Sequence, residues 1–279
     1  MAHTSRRRAC NRFLPGACLP TLWAAAACVA LLGLISNPPA IAGSDPFAAP
    51  RTEMVRTIAS YALHSQDALG RAYIDPEVMA VMGTVPRHAF LPEIAGREGW
   101  LSGLFGRDLA SVAYADRPVP IGYGQTMSQP FIVALMTDLL APAPDHVVLE
   151  VGTGSGYQAA VLSRLVSRVC SIEIIAELGK SAAAALAREG YDNVDTRIGD
   201  GYYGWEECGP FDGIAVTAAA DHVPPPLIRQ LKPGGRMVIP VGGPFVAQQL
   251  TLVEKTADKR VRTRQVLPVA FVPLVRKAP

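Results

Sequence analysis

Residues Val147-Val148-Leu149-Glu150-Val151 run directly into Gly152-Thr153-Gly154-Ser155-Gly156, and few folds accommodate that join. An apolar, β-branched run of this length suits a parallel strand covered on both faces. Glycines at alternate positions let the backbone take positive φ and come close to a ligand, while the helix that follows offers unpaired N–H groups at its start. Open α/β sheets bind ligands at this carboxyl edge. Further along, Val169-Cys170-Ser171-Ile172-Glu173 reads as a second strand tipped by an acid, suited to the hydroxyl pair of a ribose. A third unit ends in Ile198-Gly199-Asp200-Gly201. This order points to a nucleotide-type cofactor. The spacing is G-x-G-x-G rather than G-x-G-x-x-G, and no Gly-Lys-Ser or Gly-Lys-Thr follows, which argues against NAD and ATP.

The 279 residues, 49% hydrophobic and 18% charged, suit a globular protein with a sizeable core. Residues 1–42 stand apart from that average. Arg6, Arg7, Arg8 and Arg12 form a basic head, an apolar run extends from Leu22 to Ile35, and Ala40-Ile41-Ala42 forms an A-x-A cleavage pattern. That is the three-part layout of an export signal, and the run is shorter than the roughly 20 residues of a spanning helix. The expected location is therefore periplasmic or secreted, with no stable membrane association once the leader is removed. Its loss leaves 22 basic against 24 acidic residues, a net charge of −2, so no nucleic-acid-binding face is expected. Only Cys170 and Cys208 lie beyond the leader. No Cys/His cluster marks a metal site, and whether the two cysteines pair is open.

A Gly/Pro/Ala-rich linker covers 43–50, and the domain proper is expected at 51–275. Its first part, 51–140, reads as a helical cap with loops. One helix is expected over Arg51–Gly70 with Val55, Ile58, Ala59 and Ala62 facing inward. A second is expected from Asp75-Pro76 to Gly83, and a third over Pro130–Leu140. The core at 145–241 alternates strands near 147–151, 168–174, 194–198, 212–217 and 235–241 with helices near 156–166, 176–189 and 225–231. This is the rhythm of a parallel doubly wound sheet. Lys232-Pro233-Gly234-Gly235 reads as a stop after the last of these helices. Gln249–Glu254 and Val261–Val275 predict an antiparallel hairpin at the sheet edge, within 247–275.

Glu150-Val-Gly-Thr-Gly-Ser-Gly156, Glu173, Gly199-Asp200-Gly201 and Leu231-Lys-Pro-Gly-Gly235 together resemble the class I S-adenosylmethionine-dependent methyltransferases. Val85-Pro-Arg-His-Ala-Phe-Leu-Pro92, Ala113-Tyr-Ala-Asp-Arg-Pro118, Gly124-Gln-Thr-Met-Ser-Gln-Pro130 and Val216-Thr-Ala-Ala-Ala220 narrow the resemblance to the protein-L-isoaspartate O-methyltransferase family. The resemblance covers about residues 51–275. It implies a Rossmann-like methyltransferase fold: an α/β, doubly wound, mostly parallel seven-stranded sheet with a C-terminal antiparallel hairpin and an N-terminal helical cap. It also implies methyl transfer to the side-chain carboxylate of L-isoaspartyl residues in damaged proteins or peptides, followed by closure to a succinimide. No metal is implied, and a monomer is expected.

Such an acceptor needs no general base, because a carboxylate with an ordinary pKa near 3.9 is ionised at neutral pH. Alignment remains, and a neutral hydroxyl orients the nucleophile without opposing its attack. By resemblance Ser128 is that hydroxyl; read from the residues alone, it caps the helix beginning at Pro130. Gln125 and Thr126 are expected to shape the acceptor loop. The resemblance places Gly152, Gly154 and Gly156 along the methionine part of S-adenosylmethionine, Glu150 near its ammonium group, Glu173 on the ribose, and Asp200 with Gly201 at the adenine edge. His88, with Arg87, is read as structural or as a loop anchor, and His222 as lining the site without a chemical role.

The chain departs from the family pattern at Glu98–Asp108, which looks inserted, at Ala270, where arginine is common, and at Tyr123, where histidine is frequent. An exported enzyme would also need a cofactor made in the cytoplasm, so a cytoplasmic location, usual for the family, is the alternative. Two other readings stay open: a methyltransferase with a different acceptor, and a binding domain without turnover.

Overall fold

The computed structural model describes residues 45–91, 109–243 and 247–276. The leader at 1–42 and the inserted stretch at 98–108 lie outside the described residues. No helix among those described is long and apolar enough to cross a membrane.

Five parallel strands form the centre: β3 (Val147–Val151), β4 (Arg168–Glu173), β5 (Val194–Ile198), β6 (Phe211–Val216) and β7 (Leu231–Val241). Two antiparallel strands, β8 (Gln248–Lys255) and β9 (Val261–Val269), complete the seven-stranded sheet in the order β5-β4-β3-β6-β7-β8-β9. The chain steps outward from β3 to β5 and then returns to place β6 on the other side of β3. The glycine turn after β3 therefore sits at the topological switch point, where open α/β sheets bind ligands. The expected mostly parallel doubly wound sheet with an edge hairpin is present.

Alternation along β3 divides the core. Val148 joins a cluster with Val169, Ala215 and Val238, covered by the N-terminal helices, whereas Leu149 and Val151 join Ile172, Ile214 and Leu227 on the opposite face. Both faces exclude water, which explains the near-continuous apolar run of β3, broken only by Glu150. The helix α5 (Pro130–Leu140) is buried along its whole length, as an all-round apolar helix must be. Its two polar positions near the end are satisfied: Thr137 Oγ1 accepts from Gln158 Nε2 at 2.9 Å, and Asp138 pairs with Arg71 and accepts from the Asp75 amide at 2.9 Å.

Several expected boundaries shift. The first helix, α1, spans Ala48–His64 and takes the end of the expected linker, because Phe47 stacks on His88 (3.7 Å between centroids) and Asp45 pairs with Arg51 at 2.7 Å. A separate turn, α2 (Gln66–Leu69), follows. Met54, Ile58 and Ala62 are the buried residues of α1, while Ala59 is exposed, so the apolar stripe is rotated from the expected one. The next helix, α3 (Pro76–Met82), has Asp75 as its N-cap, accepting from the Glu77 amide at 2.8 Å. Lys232–Gly235 belongs to β7 rather than to a helix stop: between the Phe211–Leu231 and Gly213–Arg236 pairs the ladder accommodates a bulge, with Gly234 at φ +86. A hairpin that periodicity did not reveal, β1 (Val119–Gly122) with β2 (Gln125–Met127), stands over the sheet edge.

Cys170, within β4, and Cys208, in the loop before β6, form a disulfide with Cα atoms 6.6 Å apart. It ties the loop that follows the third acid-tipped unit to a central strand. Closing a loop of 38 residues stabilises a chain by about 4 kcal/mol in the chain-entropy picture. Replacing both cysteines by alanine is expected to lower the unfolding free energy by about 2–4 kcal/mol in urea titrations. An unchanged midpoint, or equal midpoints for the wild type with and without reductant, would contradict a formed bridge.

Candidate functional site

The turn after β3 is left-handed at each glycine: φ is +98 at Gly152, +53 at Gly154 and +91 at Gly156. Two groups hold it in place. Thr217, just past β6, donates its hydroxyl to the carbonyls of Gly152 (2.6 Å) and Val151 (3.0 Å). Glu173, at the tip of β4, accepts from the Gly154 amide (2.8 Å) and the Ile175 amide (2.9 Å). A Cβ on Gly152 would overlap the Thr217 hydroxyl, and one on Gly201 would overlap Val151. Glycine is required at both positions by close approach, and at Gly152 by φ as well.

Gly152, Gly154, Glu173, Gly201, Gln125 and Thr126 line one cavity at this edge, of about 50 Å³. Its far wall is the C-terminal strap, Val272–Val275, held in register by Ala219 N–H to Val272 O (2.8 Å) and Leu274 N–H to Ala219 O (2.7 Å). The strap ends on Asp200. Arg276 donates Nε to the Asp200 carboxylate at 3.1 Å and Nη2 to the Tyr203 hydroxyl at 3.2 Å, and its guanidinium lies 3.5 Å from the Tyr202 ring centroid. Asp200 also accepts from the Tyr202 amide at 3.0 Å. His222 meets the Tyr202 hydroxyl through Nε2 at 3.2 Å, part of the same aromatic edge.

A second cleft, about 420 Å³, adjoins the first and shares Thr126, Thr217 and Val272 with it. Ser128, Gln129 and Ala270 also line it, and among the described residues lining it none is charged. Ser128 does not cap α5. Gln129 occupies the N-cap position without a side-chain bond, and Asp116 accepts from the Phe131 amide at 2.8 Å instead. The Ser128 hydroxyl has no hydrogen-bond partner among the described residues and lies in the wall of the cleft.

Three expected cofactor residues do not line this cavity: Asp200, whose carboxylate accepts from Arg276, and Gly156 and Glu150. Gly156 packs against helix α7 (Ala176–Arg188), where an added Cβ would sit 3.3 Å from Leu186 Cγ, so it serves helix packing rather than the cavity. Glu150 is fully buried on the Val148 face of β3, beneath the turn, and does not line the cavity. It accepts from the Ser171 hydroxyl, which in turn meets Thr153 Oγ1 at 2.6 Å. A carboxyl group enclosed in this way has no direct path to a ligand ammonium. Thr217 and the strap were missed as site residues: the Val-Thr-Ala-Ala-Ala and Phe-Val-Pro-Leu stretches marked their positions without revealing their contacts. The described cluster with metal-ligating side chains, Cys170, Cys208 and Asp195, has its sulfurs joined to each other.

A family model described as protein-L-isoaspartate(D-aspartate) O-methyltransferase matches residues 62–279. Protein-L-isoaspartate O-methyltransferase 2 of Syntrophobacter fumaroxidans is 55% identical over 246 residues, spanning 88% of this chain and 94% of that one. Protein-L-isoaspartate O-methyltransferase 1 of Cupriavidus necator is 57% identical over 236 residues, spanning 85% and 86%. Among solved structures, a protein-L-isoaspartate O-methyltransferase superposes with a TM-score of 0.64 at 28% identity, covering 80% of this chain and 65% of that chain, just under two thirds of its length. A Plasmodium falciparum structure in complex with S-adenosyl-L-homocysteine superposes with a TM-score of 0.62 at 22% identity, a likeness of fold, covering 81% of this chain and 98% of that one.

Burial pushes the Glu150 carboxyl up to about 8, against the opposing pull of the Ser171 hydroxyl. In the unfolded chain it ionises near its ordinary value of 4.5. Between these limits the fold binds more protons than the unfolded chain, so this group's contribution to stability declines as pH rises through the window. The decline is at most about 1.4 kcal/mol per pH unit. Glu150→Gln is expected to flatten the fall in urea-unfolding free energy between about pH 5 and 8. Parallel pH profiles for variant and wild type would show that Glu150 is not a protonated acid in the fold.

Proposed function

This chain belongs to the protein-L-isoaspartate(D-aspartate) O-methyltransferase family, and from that membership we propose how its residues divide the work of methyl transfer. The enzyme transfers a methyl group from S-adenosylmethionine to the side-chain carboxylate of L-isoaspartyl residues in damaged proteins and peptides. The ester then closes to a succinimide, whose hydrolysis partly restores normal aspartate. The observation that carries the division of labour is the junction at Thr126, Thr217 and Val272, where the glycine-turn cavity and the uncharged cleft meet.

The residues of the first cavity fit S-adenosylmethionine. Gly152 and Gly154 present backbone where no side chain can stand, and Glu173, with a lone pair left on each oxygen, can accept from the ribose hydroxyls. Gly201 lines the cavity, and Asp200, paired with Arg276 beside it, comes to the adenine edge when that contact opens. When bound, the cofactor supplies an electrophilic methyl group on a sulfonium. The second cleft takes the acceptor. Ser128 orients the carboxylate through its hydroxyl, Gln125 and Thr126 shape the approach, and the uncharged lining leaves the nucleophile's electron density undiminished.

The cavity of about 50 Å³ is well below the 300 Å³ or so that a drug-sized ligand fills, so the strap yields as the cofactor enters. Arg276 on Asp200 is the polar contact that such a movement breaks at the adenine end.

Export is the proposed location. The signal-like layout of residues 1–42 supports it, and so does the Cys170–Cys208 disulfide, a bond typical of oxidising compartments. N-terminal sequencing of the protein from fractionated cells tests this: a start near Gly43 in the periplasmic or secreted fraction is expected, and Met1 in the cytoplasm would overturn it.

With labelled S-adenosylmethionine, label is expected on an isoaspartyl peptide and not on its aspartyl twin; label on both or on neither would reject the acceptor reading. Ser128→Ala is expected to lower kcat by about 100-fold while S-adenosylhomocysteine affinity stays within about threefold. Equal losses, or none, would reject its role. Arg276→Ala is expected to raise the association rate of S-adenosylhomocysteine by about fivefold or more in stopped-flow binding, since a charge-assisted contact of roughly 1 kcal/mol or more no longer holds the strap. An unchanged rate would mean that entry does not pass the strap.

A further inference from the structure

Arg87 is fully buried, yet among the described residues it has no ion-pair partner. Its Nε donates to the Ala113 carbonyl at 2.7 Å and its Nη2 to the Ser128 carbonyl at 2.8 Å. The guanidinium stacks 4.8 Å from the Tyr157 ring centroid, and Nη1 has no hydrogen-bond partner among the described residues. Burying a cation on two carbonyls and a ring is costly, and an apolar side chain of similar volume would serve the core at least as well. The retained charge therefore calls for a geometric reason, and the two carbonyls supply one.

Those carbonyls belong to the segments that build the acceptor side. Ala113 leads into Tyr114-Ala115-Asp116, and Asp116 reaches the other side of Ser128, accepting from Gln129 Nε2 at 2.7 Å and from the Phe131 amide at 2.8 Å. Ser128 is thus gripped from both sides: Arg87 fixes its carbonyl from within the core, and Asp116 fixes the residues that follow it. The hydroxyl itself, free of capping, is left in the wall of the cleft.

We propose that Arg87, with Asp116 as its counterpart, is a positioning residue for methyl transfer, setting the backbone of Ser128 so that its hydroxyl meets the acceptor carboxylate. The proposal rests on the assignment of Ser128 above. Misplacement of an aligning group by about 1 Å costs on the order of 100-fold, so a modest shift of the Ser128 backbone is felt in turnover. It is not felt in cofactor binding, because Arg87 does not line the glycine-turn cavity.

The test is a double-mutant cycle in the intact protein, with isoaspartyl-peptide methylation, S-adenosylhomocysteine affinity by calorimetry and thermal unfolding as readouts. Arg87→Lys is expected to lower kcat by about 10-fold or more, with KM and cofactor affinity within about twofold. In a Ser128→Ala background the same change is expected to lower kcat by less than about twofold, because the group it positions is gone. An equal loss in both backgrounds, or a kcat that Arg87→Lys leaves unchanged, overturns the proposal. A normal kcat for Ser128→Ala alone would instead remove the assignment on which it rests. If Arg87→Lys does not fold, Asp116→Asn decides through the same cycle with the same outcomes.

Discussion

The structure depends on one backbone constraint: three positive-φ glycines must be held in a left-handed turn at the end of β3, with no side chain between that turn and the neighbouring strand tips. A loop so poor in side chains has nothing of its own to fix it. The Thr217 hydroxyl on the Gly152 carbonyl and the Glu173 carboxylate on the Gly154 amide supply the fixation from β6 and β4, the two strands that flank β3. The parallel order of the sheet is therefore part of the binding site, because only that order brings both tips to the same turn. Glu173 both stabilises the turn and lines the cavity, so under the proposed ribose assignment turn geometry and ligand recognition rest on a single carboxylate.

The same turn explains the chemistry of Glu150. Strand alternation puts the Glu150 side chain on the helix-covered face, two residues before the turn begins, where water is absent. Held protonated by its surroundings, the acid joins Ser171 and Thr153 in a hydrogen-bonded chain beneath the loop. A neutral acid there braces the loop from below without placing a negative charge near a site that must accept a carboxylate.

Much of this fold was legible in the chain. The run at 147–151 coincides with β3 and Pro130–Leu140 coincides with α5, because burial leaves a near-continuous apolar signature, whereas β5, at the sheet edge and only partly buried, was placed by the alternation of strands and helices. The β1–β2 hairpin was not legible: its strands are four and three residues long, too short for alternation to register. The start of β7 was misread because Lys-Pro-Gly-Gly is ordinary turn chemistry, and only the pairing with β6 turns it into a bulge. Glu173 and the glycines that line the cavity could be listed from their spacing. The side chains that hold them could not. Arg87 reaches 41 residues to Ser128, Thr217 reaches 65 to Gly152 and Arg276 reaches 76 to Asp200, distances over which local pattern carries no information.

The uncharged cleft suits the acceptor proposed for it. An isoaspartyl carboxylate arrives already ionised, so a fixed cation in the wall would lower its energy before the methyl group is reached and would have to be overcome in the transition state. Ala270 lines the cleft and adds no charge to it. Positive charge is nevertheless present one layer back, on Arg87, where it acts on backbone carbonyls rather than on the acceptor. In the proposed assignment, a cation behind Ser128 rather than beside the nucleophile fixes geometry without weakening the attacking oxygen. Alignment and charge are thereby assigned to different layers of the same wall.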